Sequence, residues 1–337
     1  MNLTKLEDIL KRQPKFRLKQ INEAIFSQFI ETWDEASSLP KDLRDLLKKE
    51  CSLEIKTKIF KSADNSTIKA AITLADGEIT ETVLMRHGTR NTVCVSCQVG
   101  CALACDFCAT GQLGFKRNLT ADEICEQVLV FERLLKPENQ KVSNIVFMGM
   151  GEPLLNFDEV AKAIKIINDQ TKFSIGARHI SVSTVGITEG IKKLADFPLQ
   201  INLAISIHSP SDTLRSRLMP INQKYPLSEV LTAAGEYLKK TKRKLMIEYV
   251  MLKGINDSPA QAKELALILK KYLPHLYFVN LIAYNQTERF QGSLPKTIKE
   301  FKMTLEKAGV TVFQRYKFGS DIKGACGQLA GELRENK

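Results

Sequence analysis

Nowhere does this 337-residue chain carry a run of roughly 18 apolar residues, the length that crosses a bilayer, so no membrane span is expected. Its first residues, Met1 to Asp8, bring in charges early and form no apolar signal core, and a cytoplasmic protein is expected. Internal repeats and low-complexity segments are lacking too, which excludes a solenoid or a fibrous array. Acids are missing from Ile9 to Asn22, where Lys11, Arg12, Lys15, Arg17 and Lys19 stand; this is either an RNA-facing edge or the solvated face of a helix. The 44% apolar and 26% charged content suits a sizeable globular core. The net charge of +11 draws polyanions, nucleic acid first, with a merely basic soluble surface as the bland alternative.

Along the chain, Thr4-Lys5-Leu6-Glu7 reads as a capping box opening a helix that Pro14 ends. Leu18, Ile21 and Ile25 share one face of a second helix, and Pro40 opens a third with Leu43, Leu46 and Leu47 inward. Strand-like segments follow at Glu54–Phe60, Ile68–Leu74 and Ile79–Met85, the last two joined by the turn pair Asp76-Gly77. Residues 1–90 therefore form a small helical and β-meander unit. Beyond it, β-rich segments at Ser143–Met148, His179–Ser183, Ile201–Ile207, Leu245–Met251 and Phe278–Ile282 alternate with helical stretches such as Asp158–Asn168, Leu227–Lys240 and Ala260–Lys271. That alternation predicts an α/β fold with a parallel sheet or partial barrel, whose site forms in the loops after the strands. Those loops are Gly149–Asn156, Thr184–Gly186, His208–Pro210 and Ala283–Asn285.

Five of the eight cysteines, Cys94, Cys97, Cys101, Cys105 and Cys108, fall within fifteen residues, while Cys51, Cys125 and Cys326 are scattered. Such a cluster argues for metal or redox chemistry rather than a disulfide framework. Two Cys-x-x-Cys pairs, Cys94/Cys97 and Cys105/Cys108, could close a zinc site, although the gap between them is short and Cys101 is left over. Alternatively Cys101, Cys105 and Cys108 alone wrap one corner of a cubane iron–sulfur cluster. Ordinary clusters take four cysteines, so three would leave one iron open to bind a substrate.

The order Cys101, three residues, Cys105, one residue, Phe107-Cys108 resembles the signature of radical S-adenosylmethionine (SAM) enzymes. The resemblance extends through Cys94-Val95-Ser96-Cys97-Gln98-Val99-Gly100, Ala109-Thr110-Gly111 and Gly114-Phe115-Lys116-Arg117-Asn118-Leu119. It continues in Met148-Gly149-Met150-Gly151-Glu152-Pro153-Leu154, Arg217-Leu218-Met219-Pro220-Ile221-Asn222 and Ala325-Cys326-Gly327-Gln328-Leu329. These segments, spread over essentially the whole chain, resemble the RlmN/Cfr class of RNA adenosine methyltransferases. The resemblance implies a radical SAM partial (βα)6 barrel over residues 91–300 and a C-terminal extension, 301–337, with a catalytic cysteine loop. It implies a [4Fe–4S] cluster on Cys101, Cys105 and Cys108, and SAM held by Gly151, Glu152, Ser183, the Ser206-Ile207-His208 segment and Asn285. Two positions depart from the family: Gln286 stands where proline is usual, and Cys97 where serine is usual.

The same resemblance assigns chemistry to the remaining residues. An adenine ring carbon between two nitrogens is electron-poor, so direct displacement on the SAM methyl group fails there. Cys326 instead takes a methyl from one SAM. A second SAM yields a 5′-deoxyadenosyl radical that removes a hydrogen from that methyl, and the methylene radical adds to the ring. Glu81 is then the proton acceptor, and Cys94 frees the product by forming a disulfide with Cys326. The implied partners are 23S rRNA at the peptidyl-transferase centre, the tRNA adenosine 3′ of the anticodon, and a flavodoxin- or ferredoxin-like electron donor; a monomer is expected. Pro153 after Glu152 fits the carbon-2 branch, where the carbon-8 branch tends to have alanine. A zinc-stabilised RNA-binding module and a small-molecule radical SAM enzyme are the readings of other classes. Lys116 and Arg117 join the N-terminal basic run as candidate phosphate contacts.

Overall fold

The computed structural model describes residues 3–11, 13–285, 289–315, 319, 321–325 and 327–329. Arg12, Gln286 and Cys326 lie outside the described residues. Three helices come first: α1 (Leu3–Leu10), α2 (Lys15–Phe26) and α3 (Lys41–Glu50). Because α1 opens at Leu3, Thr4 is inside the first turn and is not the cap expected of it. Pro40 sits just before α3 as its N-cap, where a proline costs no hydrogen bond. Ile21, Ile25, Leu43 and Leu47 are buried as expected, but Leu18 and Leu46 are 46% and 43% exposed. Each stands three residues from a buried partner, on the edge of the stripe that faces solvent.

The strands β1 (Thr57–Lys61), β2 (Thr67–Thr73) and β3 (Ile79–His87) form the antiparallel meander. Gly77, at φ +83°, closes its turn by donating to the Leu74 carbonyl at 2.9 Å. A fourth strand, β4 (Arg90–Val95), joins the meander to the rest. It pairs antiparallel with β3 and parallel with the first strand of the alternating region, so the meander continues the main sheet without a break.

After β4 come a short ribbon, β5 (Gln98–Gly100) and β6 (Phe115–Asn118), with the one-turn α4 (Ala109–Gln112) between, and then α5 (Ala121–Leu135). The alternation continues through β7 (Asn144–Phe147), α6 (Phe157–Asn168), β8 (Ile180–Thr184), α7 (Thr188–Ala195), β9 (Asn202–Ser206), α8 (Asp212–Leu218) and α9 (Leu227–Thr241). It ends with β10 (Leu245–Met251), α10 (Pro259–Tyr272), β11 (Tyr277–Ala283), α11 (Pro295–Lys307) and β12 (Val312–Gln314). Strands β4, β7, β8, β9, β10 and β11 are parallel neighbours in that order, each followed by a helix. This is a partial (βα)6 barrel, left open because β1 and β12 are the two edges of one ten-stranded sheet. One continuous apolar core runs from Trp33 and Leu47 through Ile145 and Leu203 to Phe301. Cys125 is part of it, and Cys51 ends α3, so both behave as small core residues. The C-terminal strand ends gather at one mouth, as parallel barrels require.

Candidate active site

The loop between β5 and β6 carries Cys101, Cys105 and Cys108. Gly100 starts it at φ +73°, and an added Cβ there would stand 1.9 Å from the Gly114 carbonyl oxygen, so only glycine lets the ribbon close. Cys101 N–H donates to that same oxygen at 2.9 Å, and Ala104 turns the loop at φ +48°. All three cysteines line one cavity, Cys105 buried and the others half-buried. Burial pushes the Cys101 thiol up to about 12 and Cys105 well above its ordinary value. Thiolates are favoured here only if a Lewis acid compensates their charge.

The four-cysteine zinc arrangement does not form. Cys97 is buried in the main core with its Sγ 3.6 Å from the Met150 carbonyl, and Cys94 faces a different cavity. Among the described residues no three His, Cys, Asp or Glu side chains are placed to hold a single ion. Thiolates that each bind a separate iron of a cubane stand further apart than that.

The C-terminal ends of β8 and β9, with Ser183 and Ser206, and the loops after β7 and β9, with Gly149, Gly151, Glu152 and His208, supply the opposite wall of the first cavity. Gly151, at φ +99°, packs so closely on Gln98 that a Cβ would meet its side chain at 2.6 Å. Glu152 is buried; its two oxygens accept from Leu154 N–H at 3.0 Å and Val185 N–H at 2.9 Å, while burial raises the carboxyl to about 7. His208 stands at φ +60°, a left-handed backbone held by Asn256, whose amide donates to the His208 carbonyl at 2.8 Å. Its Nδ1 accepts from Val250 N–H at 3.1 Å, burial lowers the imidazole to about 3, and the ring meets Phe107 edge-on at 5.0 Å. The ring is therefore neutral, with its proton on Nε2. Ile207 does not line the cavity: its side chain is in the main core. Beneath these loops the buried Arg215 donates to the carbonyls of Val185, Ser206 and Ile207 at 2.5, 3.2 and 3.2 Å.

A second cavity adjoins the first. Val83, Met85, Cys94, Asn285 and Ala325 line it, and Met148, Ile282, Arg315 and Leu329 line both. Cys94 lies directly across from Val83 in the β3–β4 register. Asn285 is buried and its Oδ1 has no hydrogen-bond partner. Glu81 is buried on the same face of β3 as Val83, 3.2 Å from the Lys69 ammonium, but lines neither cavity. Nothing is described of Cys326 itself. Of its neighbours, Ala325 lines the second cavity and Gly327 the first, and the Gly327 carbonyl accepts from Ala109 N–H at 2.8 Å.

Sequence reasoning missed Glu248, Arg215 and Arg315; a lone acid in the apolar run Leu245–Met251 was the one available signal. It also offered Arg117 as a phosphate contact, whereas its guanidinium is held by Asp76 at 2.6 Å and by both oxygens of Glu123 at 2.8 Å. Lys116 has Glu78 at 3.9 Å.

Residues 95–266 match the Radical SAM superfamily, so the barrel and its cysteine loop define a radical SAM enzyme, whose cofactors are a [4Fe–4S] cluster and SAM. Its fold superposes on a radical SAM methyltransferase from Sphaerobacter thermophilus with a TM-score of 0.92 at 40% identity, covering 97% of each chain. It is 42% identical to a probable dual-specificity RNA methyltransferase RlmN of Dictyoglomus thermophilum, over 100% of this chain and 97% of that one. It is 43% identical to the protein of the same description from Staphylococcus epidermidis ATCC 12228, over 96% and 89%. The chain belongs to the RlmN family of radical SAM RNA methyltransferases.

Proposed function

We propose that this enzyme methylates carbon 2 of an adenosine in the peptidyl-transferase centre of 23S rRNA and of the adenosine 3′ of a tRNA anticodon. The observation that carries the reading is the pair of adjoining cavities, one lined by three thiols and Glu152, the other by Cys94. The family supplies the substrate classes, and Pro153 after Glu152 favours carbon 2 over the carbon-8 alternative.

Cys101, Cys105 and Cys108 would hold three irons, and the thiols' burial in one cavity fits a cluster that neutralises them. Gly151 and Glu152 would receive the amino end of SAM, with Ser183 and Ser206-Ile207-His208 along the rest of it, Ile207 by its backbone alone; Asn285, which lines the second cavity, would reach SAM from that side. When bound, cluster and SAM together supply a carbon-centred radical able to remove a hydrogen atom. The Cys326 thiolate attacks the methyl of one SAM and becomes a thioether. After that methyl loses a hydrogen atom, its carbon bonds to the adenine ring; Glu81, 3.2 Å from the Lys69 ammonium, takes the ring proton, and the one electron left over would pass to the cluster. The Cys94 sulfur then bonds to that of Cys326, breaking the carbon–sulfur bond, and the proton of the Cys94 thiol goes to the released carbon, freeing the methylated base. A flavodoxin- or ferredoxin-like donor resets the disulfide and reduces the cluster. The enzyme acts as a cytoplasmic monomer, with residues 1–90 as an RNA-contacting unit and 301–337 as the arm bearing Cys326. Mass spectrometry of both RNAs from cells with and without the protein tests this: loss of 2-methyladenosine supports it, and loss of 8-methyladenosine or no change overturns it.

A further inference from the structure

Glu248 sits within β10, in register with Ser206 of β9 on one side and Asn280 of β11 on the other. Residues directly paired across strands point to the same face, and Ser206 and Glu248 both line the first cavity. Glu248 is 2% exposed. Its Oε1 accepts from the Asn280 amide at 3.0 Å, but Oε2, equally buried, has no hydrogen-bond partner. The Arg315 guanidinium lies 3.7 Å from Oε2, beyond hydrogen-bond reach, and directs that nitrogen to Met148 Sδ at 3.4 Å. A buried carboxylate oxygen without a donor is costly, and the charge of Arg315 offsets only part of the lost hydration.

The missing donor must come from what fills the cavity. SAM brings three kinds: its ammonium group, the adenine amine and the ribose hydroxyls. The ammonium belongs at the Glu152 end, after β7, with two strands, β8 and β9, between it and β10 in the sheet order. Carboxylates that accept from ribose hydroxyls recur in nucleotide sites because the hydroxyl donates without competing charge. We propose that Glu248 is a SAM-binding residue that accepts a hydrogen bond from a ribose hydroxyl through Oε2, with Arg315 as the counter-charge that keeps the carboxylate tolerable in the barrel. This rests on reading the first cavity as the SAM site. Arg315 also borders the second cavity, so the same pair links the SAM floor to the wall facing the substrate.

The test uses the cluster-loaded full chain and equilibrium dialysis against SAM, 2′-deoxy-SAM and 3′-deoxy-SAM. The wild type is expected to lose about tenfold in affinity for one of the two deoxy analogues, the scale of one hydrogen bond to a charged group. Glu248→Gln is expected to bind SAM about tenfold more weakly and to lose that discrimination, with unchanged iron content and thermal stability. If Glu248→Gln weakens all three ligands by the same factor, the residue only supports the fold and the proposal is overturned. Equal wild-type affinity for all three ligands overturns it without any variant, which covers a Glu248→Gln protein that fails to fold. A wild type that binds no SAM overturns the reading of the cavity itself, a result distinct from both.

Discussion

The two cavities share Met148, Ile282, Arg315 and Leu329, yet the rest of their walls differ in kind. The first is built from glycines in close approach, two buried carboxylates, Glu152 and Glu248, a left-handed histidine and three thiols from one tight loop. The second takes Val83 and Met85 from the meander, and a buried cluster of Val83, Cys94, Met150 and Leu329 backs it. Both walls are mainly apolar; the first adds three thiols, Glu152, Glu248 and His208, and the second adds Cys94, Asn285, His87 and Thr92. The shared wall includes methionine, which re-packs easily around a passing group. The difference also explains the unbroken sheet: β4 carries Cys94 and pairs with both β3 and β7, so the meander brings its apolar wall to the barrel's mouth.

The largest effect that could break this division is loss of the cluster. Replacing Cys101, Cys105 or Cys108 with alanine is expected to abolish iron binding and SAM cleavage, measured by iron and sulfide analysis and 5′-deoxyadenosine formation. Cys97→Ser should keep its iron, because Cys97 lies outside both cavities; iron lost from Cys97→Ser but kept by Cys101→Ala would reverse the assignment. Next in size is Arg215, whose guanidinium also binds Asn222 and the Tyr225 carbonyl. Burial lowers it only to about 10, so it stays a cation at neutral pH. Arg215→Met should cost roughly 3–5 kcal/mol in denaturant unfolding, since it strands several buried acceptors, and should weaken SAM binding at the first cavity. A cost under about 1 kcal/mol would show that the loops hold without it.

The smallest expected effect concerns the surface. RNA affinity should fall steeply with salt, but Arg117→Ala should leave the slope unchanged because Asp76 and Glu123 already occupy the guanidinium. Its stability should fall by about 1 kcal/mol or less, the range of partly exposed pairs. A slope reduced by about one unit would return Arg117 to the phosphate contacts.

Much of this was legible in sequence. The five β-rich segments fall on β7 to β11: β9 and β10, buried nearly throughout, read as apolar runs, while β8 alternates Ile180, Ser181, Val182 and Ser183 as its buried and half-buried faces do. The cysteine loop was legible because its spacing is local. Pairing between distant segments was not: nothing in Arg90–Val95 says that it bridges an antiparallel and a parallel neighbour. For Arg117 the same holds of Asp76, 41 residues away, whereas Glu123, six residues on, was within a local reading. Leu18 and Leu46 misled because periodicity marks a stripe and not its edges. Glu248 was hidden by apolar neighbours that define a strand well and say nothing of one acid facing inward.

The central claim, that Cys94 in the second cavity completes a reaction begun on Cys326, is tested most directly by a denaturing gel. Cys94→Ala and Cys326→Ala proteins are purified from cells and run with and without ribonuclease. The account expects a ribonuclease-sensitive upward shift for Cys94→Ala only, because the thioether to RNA is stable until a second sulfur attacks it, and Cys326→Ala has no sulfur to carry the carbon. The same shift in Cys326→Ala, or no shift in Cys94→Ala together with an unmethylated Cys326, would contradict it.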